Sequence, residues 1–227
     1  MEHLFADPRV IVTEDGSHSI IFPQSGITFH STHGAVQESQ KVFIEYGLEY
    51  LLAQKPDGTL RIFEMGFGTG LNALLAAIKA RDVKVPIHYT AIDLYPLSEM
   101  FAAQINYGEK LREETLYRQL IAARWDNVTE LHPFFTIEKQ KTSLLDYHFS
   151  QSYNLIFFDA FAPNDQPELW KVDIFNKLFN ALKNGGVLTT YCSKSMVRKA
   201  LMEAGFLVEK LPGPPGKREV LRAIKGY

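Results

Sequence analysis

The sequence has almost no cysteine and no long apolar run, and each absence removes a class of protein. Its one cysteine, Cys192, cannot form an internal disulfide, and no cysteine pair exists for a zinc site. We therefore expect a reducing, cytoplasmic location and no metal. The N-terminus MEHLFADPRV lacks the apolar core of a signal peptide, and no apolar run approaches the roughly 20 residues that span a bilayer. We expect no membrane association.

What the sequence does contain fits one globular domain with a large core, since 46% of its 227 residues are hydrophobic and its formal charge is −2. The charge is unevenly distributed. Residues 190–227 carry eight Lys or Arg against three Glu, so this end is +5 and the remainder −7. A basic end can meet a phosphate backbone locally, although a solvated charged face explains it equally well.

Residues 64–72 read EMGFGTGLN, a glycine-rich loop that follows an apolar run and opens a predicted helix. Glycines let the backbone approach a ligand where a side chain would block it. The spacing is GxGxG rather than the GxGxxG of dinucleotide-binding proteins, and no GK[ST] of a P-loop is present. The loop therefore favours S-adenosylmethionine over NAD or a nucleoside triphosphate, with a purely structural turn as the alternative.

Apolar runs and helical spacing predict an α/β fold. Strands are expected at 60–65, 87–93, 134–139, 153–159, 186–192, 206–211 and 218–224. Helices are expected near 71–81, 97–107, 144–149, 171–183 and 195–204. This alternation predicts a mostly parallel sheet. Only LPGPPGK separates the last two strands, which suits an antiparallel reversal. We predict a Rossmann-like, seven-stranded sheet whose last strand is antiparallel, as in the common methyltransferase fold.

Three carboxylates end predicted strands, where ligands bind in open α/β sheets. Asp93, in YTAIDLYP, can accept the ribose hydroxyls of NAD or S-adenosylmethionine. Glu64 can contact the amino-acid part of a methionine-derived cofactor, or cap the next helix. Asp159 opens DAFAPNDQPELW, in which Phe161 and Pro163 can form an apolar platform for a base. A helix cap is the alternative for Asp159.

Four ordered motifs together resemble the methyltransferase part of the MnmC family: EMGFGTGLN, DAFAPNDQPELW, TTYCSKSMVRKALMEAGF and GKREVL. The likeness runs from about residue 28 to 224. It implies an S-adenosylmethionine-dependent enzyme that methylates the amine of 5-aminomethyl-(2-thio)uridine at the tRNA wobble position. The family's FAD-dependent oxidoreductase part finds no counterpart here, so we expect a stand-alone methyltransferase.

The pattern of elements along the chain predicts N-terminal strands and a helix at 1–55 that pack on a methyltransferase domain at 56–227, in one compact body. The N-terminal strands are VIVT, SIIF and ITFH, and the helix covers 35–53. Residues 108–133 are an insertion of helical spacing, which forms either part of a substrate wall or packing.

The resemblance also implies the site residues. The cofactor is expected to contact Glu64, Gly66, Phe67, Gly68, Thr69, Gly70, Asn72, Asp93, Leu94 and Asp159. Where the family often has a Gly-Asp pair for adenine, this chain reads KQKTSLLDY, so Thr142 or Ser143 must serve, or Asp146 reach in. Ser31, Gln37 and Glu38 are expected to fold over the cofactor mouth.

Asp159 is the expected catalytic residue, which holds the aminomethyl nitrogen and accepts or relays its proton. Phe161 is expected to pack on the uracil. Phosphate contacts are expected from Lys217 and Arg218 and from the helix that bears Lys194, Arg198 and Lys199.

Other functions stay open from the sequence alone. One is an N-methyltransferase that acts on a small amine or a protein and needs no basic end. Another is a non-catalytic binding or scaffold protein that keeps the fold. An NAD-dependent dehydrogenase is opposed by the glycine spacing and by the final hairpin.

Overall fold

The structure is a computed structural model that describes residues 7–226. The three predicted N-terminal strands form a small antiparallel sheet, made of β1 (Arg9–Val12), β2 (His18–Phe22) and β3 (Ile27–Thr28). The predicted helix follows without a break as α1 (Ala35–Ser39), a π-helical segment (Gln40–Glu49) and α2 (Tyr50–Leu52).

A central sheet contains all seven predicted strands and one more. Its strands are β4 (Leu60–Met65), β5 (Ile87–Asp93), β6 (Asn127–His132), β7 (Phe135–Lys141), β8 (Tyr153–Phe158), β9 (Leu182–Thr190), β10 (Leu207–Pro212) and β11 (Glu219–Ile224). Their spatial order is β10-β11-β9-β8-β4-β5-β7-β6. The five strands from β9 to β7 are parallel, and β11 runs antiparallel to both β9 and β10. The predicted fold class is confirmed.

The eighth strand, β6, lies in the insertion that was predicted to be helical. Two helices do occupy its first part, α5 (Tyr107–Leu111) and α6 (Glu114–Ala122). The rest pairs antiparallel with β7 at the edge of the sheet. No strand is recognisable in the sequence here, because an edge strand pairs on one side only and NVTELH has no buried apolar run.

Three of the five predicted helices in the main domain are confirmed: α3 (Leu71–Val83), α7 (Val172–Ala181) and α8 (Ser195–Glu203). The helix expected near 97–107 is a single turn, α4 (Glu99–Ala102). Residues 144–149 form a turn and no helix. The buried residues there, Leu144 and Tyr147, are three positions apart. A single turn brings both side chains to the same side, so this spacing does not require a helix.

The core occupies both faces of the sheet. Because successive residues of a strand point to opposite faces, Phe157 and Phe158 of β8 enter different clusters. Phe157 packs against Phe43 of the N-terminal helical stretch, and Phe158 packs against Trp170 before α7. The N-terminal helical residues are therefore part of the main core. Within residues 7–226, no helix is long and apolar enough to cross a membrane.

Replacement of Phe157 by alanine should lower the free energy of unfolding by about 3–5 kcal/mol, because a fully buried ring is lost. Urea denaturation followed by circular dichroism measures this. The control is Val128→Ala on the exposed side of β6, which should stay within about 0.5 kcal/mol of the parent. Equal denaturation midpoints for the two variants would contradict this description of the core.

Candidate active site

A cavity of about 740 Å³ opens at the carboxyl ends of β4, β5 and β8. This is the edge at which open parallel sheets bind ligands, and it includes the point where strand order reverses between β4 and β8. Of the residues predicted from the sequence, the structure brings together Ser31, Glu38, Gly66, Phe67, Gly68, Thr69, Asn72, Asp93, Leu94, Asp159, Phe161 and Lys217.

Seven other predicted residues do not line the cavity: Gln37, Glu64, Gly70, Thr142, Ser143, Pro163 and Arg218. Glu64 is fully buried beside it, and Gly70 caps the start of α3. The Gln37 amide donates to Asp15 Oδ2 at 3.0 Å. Asp146 does not line the cavity either.

The two residues predicted for adenine contacts have local partners. The Thr142 amide donates to the Asp93 carbonyl at 3.2 Å, and the Ser143 hydroxyl accepts from the Leu145 amide at 3.2 Å. Their side chains reach the cavity only if the segment after β7 rearranges. Adenine contact by Thr142 and Ser143 therefore stays a prediction.

Gly66 shows why the loop needs glycine. Its φ is 92°, and a Cβ on it would lie 2.5 Å from the carbonyl oxygen of Asp159. That distance is shorter than any side chain tolerates, so only glycine lets the loop after β4 approach the loop after β8. The Gly66 amide donates to Ile92 O and the Asp159 amide to Met65 O, both at 3.0 Å, which ties three strand ends together.

Asp93 is held by backbone donors at the tip of β5. Its Oδ2 accepts from the Gly68 amide at 3.0 Å and its Oδ1 from the Tyr95 amide at 2.9 Å. Burial raises its pKa and these hydrogen bonds oppose the rise. A carboxylate has about four acceptor sites, so Asp93 keeps acceptor capacity for hydroxyl groups of a ligand.

The Asn72 amide joins two carboxyl groups. Its Nδ2 donates to Glu64 Oε1 at 2.9 Å and to Asp159 Oδ2 at 2.8 Å. Burial raises the pKa of Glu64 well above its usual value. Among the described residues, neither Glu64 Oε2 nor Asn72 Oδ1 has a hydrogen-bond partner. Buried polar atoms without a partner are rare in folded proteins, and Asn72 lies where a polar group of a ligand can reach it.

Asp159 has a pKa close to neutrality. Burial is the largest cause of its rise to about 7, and the negative charge of Glu38 adds to it. The hydrogen bond from Asn72 and the positive charge of Lys217 pull in the opposite direction. A carboxyl group with such a pKa exchanges protons readily at neutral pH.

Lys217 lines the cavity, and its predicted contact with an RNA phosphate stays a prediction. Its ammonium pairs with the Glu38 carboxylate and lies 4.0 Å from the centre of the Tyr191 ring. Glu38 is buried and also accepts from the Ser31 amide at 2.9 Å. Lys217 is thus a cavity residue with a carboxylate partner, whereas the neighbouring Arg218 is exposed.

An aromatic wall, made of Phe22, Phe29 and Phe161, forms one side of the cavity. Its ring centres lie 5.4–6.4 Å apart in tilted and edge-on contacts. The sequence identified Phe161 but missed the other two, which lie in the predicted strand SIIF and in ITFH. Alternation within such short strands does not tell which face meets a ligand.

Two further cavity residues were missed. Tyr191 follows β9, so the strand-end rule that selected Asp93 and Asp159 would have found it. His30 is buried, with Nε2 3.2 Å from the Thr69 hydroxyl, and burial lowers its pKa to about 4. It is therefore neutral at physiological pH.

Residues 7–226 hold no group of three or more His, Cys, Asp or Glu arranged for a metal.

Comparison with known proteins finds similarity to methyltransferases. A family described as S-adenosyl-L-methionine-dependent methyltransferase matches residues 125–226, which include Asp159 and the final hairpin. The chain is 28% identical over 233 residues to the tRNA 5-methylaminomethyl-2-thiouridine biosynthesis bifunctional protein MnmC of Polaromonas naphthalenivorans (strain CJ2). This match covers 94% of the chain and 35% of the Polaromonas protein, so the chain spans about a third of that relative.

Solved structures share the fold. The crystal structure of MNMC2 from Aquifex aeolicus matches 96% of this chain and 69% of its own, with a TM-score of 0.78 and 24% identity. Spermidine synthase from Thermotoga maritima matches 96% of this chain and 72% of its own, with a TM-score of 0.54 and 14% identity. At these identities the likeness concerns the fold alone.

The cavity residues fit S-adenosylmethionine. Asp93 has acceptor sites for ribose hydroxyls, and the unpartnered Oδ1 of Asn72, which lines the cavity, suits the ammonium group of an amino acid. Gly66 and Gly68 let the loop pack closely against the Asp159 backbone and the Phe29 ring, and both residues line the cavity. The volume is also that of an ordinary small-molecule site.

Gly66→Ala should weaken S-adenosylmethionine binding by about 10–100-fold, because the new methyl group pushes Asp159 and the loop apart at a cost of about 1–3 kcal/mol. Isothermal titration calorimetry measures the dissociation constant. Gly58→Ala is the matched control, since Gly58 also has a positive φ (71°) but nothing within 4 Å of an added Cβ. The same weakening in both variants would show that backbone strain alone is responsible.

Proposed function

We propose that this chain, which carries an MnmC-like, S-adenosyl-L-methionine-dependent methyltransferase domain, methylates the amine of 5-aminomethyl-(2-thio)uridine at the wobble position of tRNA. The observation that carries the proposal is the position of Asp159 between the glycine-rich loop and the aromatic wall. A proton acceptor, a cofactor loop and a surface for a planar base then share one cavity. The Polaromonas relative is named for the biosynthesis of 5-methylaminomethyl-2-thiouridine in tRNA, which supports this substrate.

Different residues of the cavity bind different parts of the cofactor. Asp93 accepts from the ribose hydroxyls, and Asn72 with Glu64 receives the amino-acid end. The glycine-rich loop lets the cofactor approach the backbone. When bound, S-adenosylmethionine supplies an electrophilic methyl group on its sulfonium.

Asp159 prepares the acceptor amine. An alkylamine is mostly protonated near neutral pH, and only its neutral form has the lone pair that attacks a methyl group. The Asp159 carboxylate accepts a hydrogen bond from the aminomethyl nitrogen, orients the lone pair and takes up the proton. Its pKa of about 7 lets it take up and release that proton in each turnover.

The aromatic wall holds the base. Phe161 packs against the uracil ring, with Phe22 and Phe29 behind it. The loop that carries Phe161 is fixed because Trp170 Nε1 donates to its carbonyl at 2.8 Å. A wobble base reaches this cavity only when it is splayed out of the anticodon loop, which is the usual mode of single-stranded RNA recognition.

A basic surface beside the cavity suits the RNA backbone. We define it by Lys194, Arg198, Lys199 and Arg218. Lys194 Nζ donates to Asn164 Oδ1 at 3.0 Å, which links this surface to the loop that follows Asp159. The Arg198 and Arg218 charges both act on Glu219, so they lie on the same side of the molecule. Clustered cations of this kind neutralise phosphates without reading sequence.

Purified protein and S-adenosylmethionine should convert 5-aminomethyl-uridine in tRNA into the methylaminomethyl nucleoside, detected by nucleoside mass spectrometry. Asp159→Asn should lower kcat by about 100-fold or more, because the proton acceptor is lost while the shape stays. Asp173→Asn on the exposed side of α7 should leave turnover unchanged. Cofactor binding without conversion would direct the search to small amines or protein amines, and full turnover by Asp159→Asn would remove it as the base.

Neutralisation of three of the four cations of the basic surface should weaken tRNA binding. The triple variant Arg198→Gln, Lys199→Gln and Arg218→Gln should have a higher KM for tRNA. A plot of the logarithm of the tRNA binding constant against the logarithm of the salt concentration should have a slope that is less steep by about one to three. The control triple Lys55→Gln, Arg61→Gln and Lys84→Gln removes equal charge from the amino ends of the strands. Equal salt slopes in the two triples would remove the basic surface from the RNA footprint.

A further inference from the structure

Glu38 and Lys217 have no task in the mechanism above, yet both line the cavity that contains Asp159. They come from opposite parts of the chain, α1 and the turn between β10 and β11, and meet as an ion pair. Glu38 is nine-tenths buried or more, with a relative exposure of 5%. A carboxylate as buried as Glu38 is costly to desolvate, and its ion pair with the partly exposed Lys217 contributes little to stability for its own sake. Its position beside a titratable group suggests a task.

The structure holds the pair firmly in place. The Ser31 amide donates to Glu38 Oε2 at 2.9 Å, and Lys217 lies over the Tyr191 ring. The Tyr191 hydroxyl in turn donates to the carbonyl of Ala160, next to Asp159, at 2.9 Å. The turn that carries Lys217 packs tightly on the N-terminal segment, since an added Cβ on Gly216 would overlap the His33 ring. The Lys217 ammonium therefore has a defined position relative to Asp159.

The polar groups that face Asp159 come from every surrounding element. Seven residues interact with Asp159 by charge or by a hydrogen bond: Glu38, Glu64, Asn72, Tyr89, Tyr107, Tyr191 and Lys217. Asp93 and Asp165 also line the cavity. Of the described residues that line it, Lys217 alone is a Lys or Arg.

Carboxyl groups crowded into a poorly solvated cavity resist ionisation together, and one of them keeps a proton. A single ammonium changes that balance. Here the charge of Glu38 raises the pKa of Asp159, whereas the charge of Lys217 lowers it. The two members of the ion pair therefore act on the same carboxyl group in opposite directions.

We infer that Glu38 and Lys217 are a positioning pair for methyl transfer, an ion pair in the wall of the cavity that sets the electrostatic surroundings of Asp159. The inference rests on the proposed function, because the charge of Asp159 matters to the reaction only if Asp159 takes the proton of the acceptor amine. Neither member of the pair touches the reacting atoms. Both act through Asp159.

The direct test is a titration of the Asp159 side chain by carbon NMR, in protein without cofactor, with Asp159→Asn to identify its signal. Lys217→Met should raise the midpoint by on the order of one pH unit, because the nearest cation is lost. Glu38→Gln should lower it, because a nearby anion is lost and the ammonium remains. Lys217→Arg keeps the charge and should stay close to the parent.

Lys210→Met is the matched control. Lys210 lies on the same hairpin and also pairs with a glutamate, Glu219, at 2.8 Å, but it does not line the cavity. Its loss should leave the Asp159 midpoint and the methylation rate unchanged. This comparison separates the charge beside Asp159 from the general loss of an ion pair on the hairpin.

The pH dependence of kcat/KM for tRNA methylation gives a second measurement. The acidic limb reports ionisation of Asp159, so it should move to higher pH in Lys217→Met and to lower pH in Glu38→Gln. A purely structural role would lower the rate at every pH and leave the limb where it is. Because Lys217→Arg keeps the positive charge, its acidic limb should lie at the same pH as that of the unaltered protein.

Midpoints that stay fixed in Lys217→Met and Glu38→Gln, both folded by their NMR spectra, would overturn the inference whatever the enzyme methylates. Midpoints that move in opposite directions would support it. If they move but the unaltered protein converts no wobble uridine, the proposed substrate fails while the electrostatic link between the pair and Asp159 stands. The two failures are thus distinguishable.

Discussion

The contact between Gly66 and the backbone of Asp159 is the constraint on which the site depends. Two loops from neighbouring parallel strands meet there without any side chain between them, because an added Cβ would lie 2.5 Å from the Asp159 carbonyl oxygen. Hydrogen bonds from Gly66 to Ile92 and from Asp159 to Met65 fix the same three strand ends. The glycine-rich loop and Asp159 therefore have one shared geometry, set by the sheet rather than by flexible side chains.

The charge distribution follows from this crowding. Glu38, Asp93 and Asp159 line one cavity, and Glu64 is buried beside it. Backbone amides satisfy Asp93, and the Asn72 amide connects Glu64 with Asp159. Such a cavity attracts a cofactor with a sulfonium and an ammonium group. Burial in this cavity raises the pKa of Asp93 and of Asp159.

The N-terminal segment contributes more to the site than its position before the main sheet suggests. The turn after β1 caps the first helix, since Ser17 Oγ accepts from the Ala35 amide at 3.1 Å and Asp15 Oδ2 from the Gln37 amide. This capping places Glu38 at the cavity. The strands on either side of the next turn supply two rings of the aromatic wall, Phe22 and Phe29. Two of the three rings of the aromatic wall thus come from residues that precede the central sheet.

The sequence by itself determined the parallel sheet, its antiparallel end and the carboxylates at the strand tips, because buried strands and glycine turns leave local patterns in apolar spacing. It did not determine β6, since an edge strand buries too little to show such a pattern. Nor did it predict that Lys217 meets Glu38, or that Tyr191 and Phe29 line the cavity. Those partners lie far apart in the chain, and only the packing of the final hairpin and the N-terminal segment against the sheet edge brings them together.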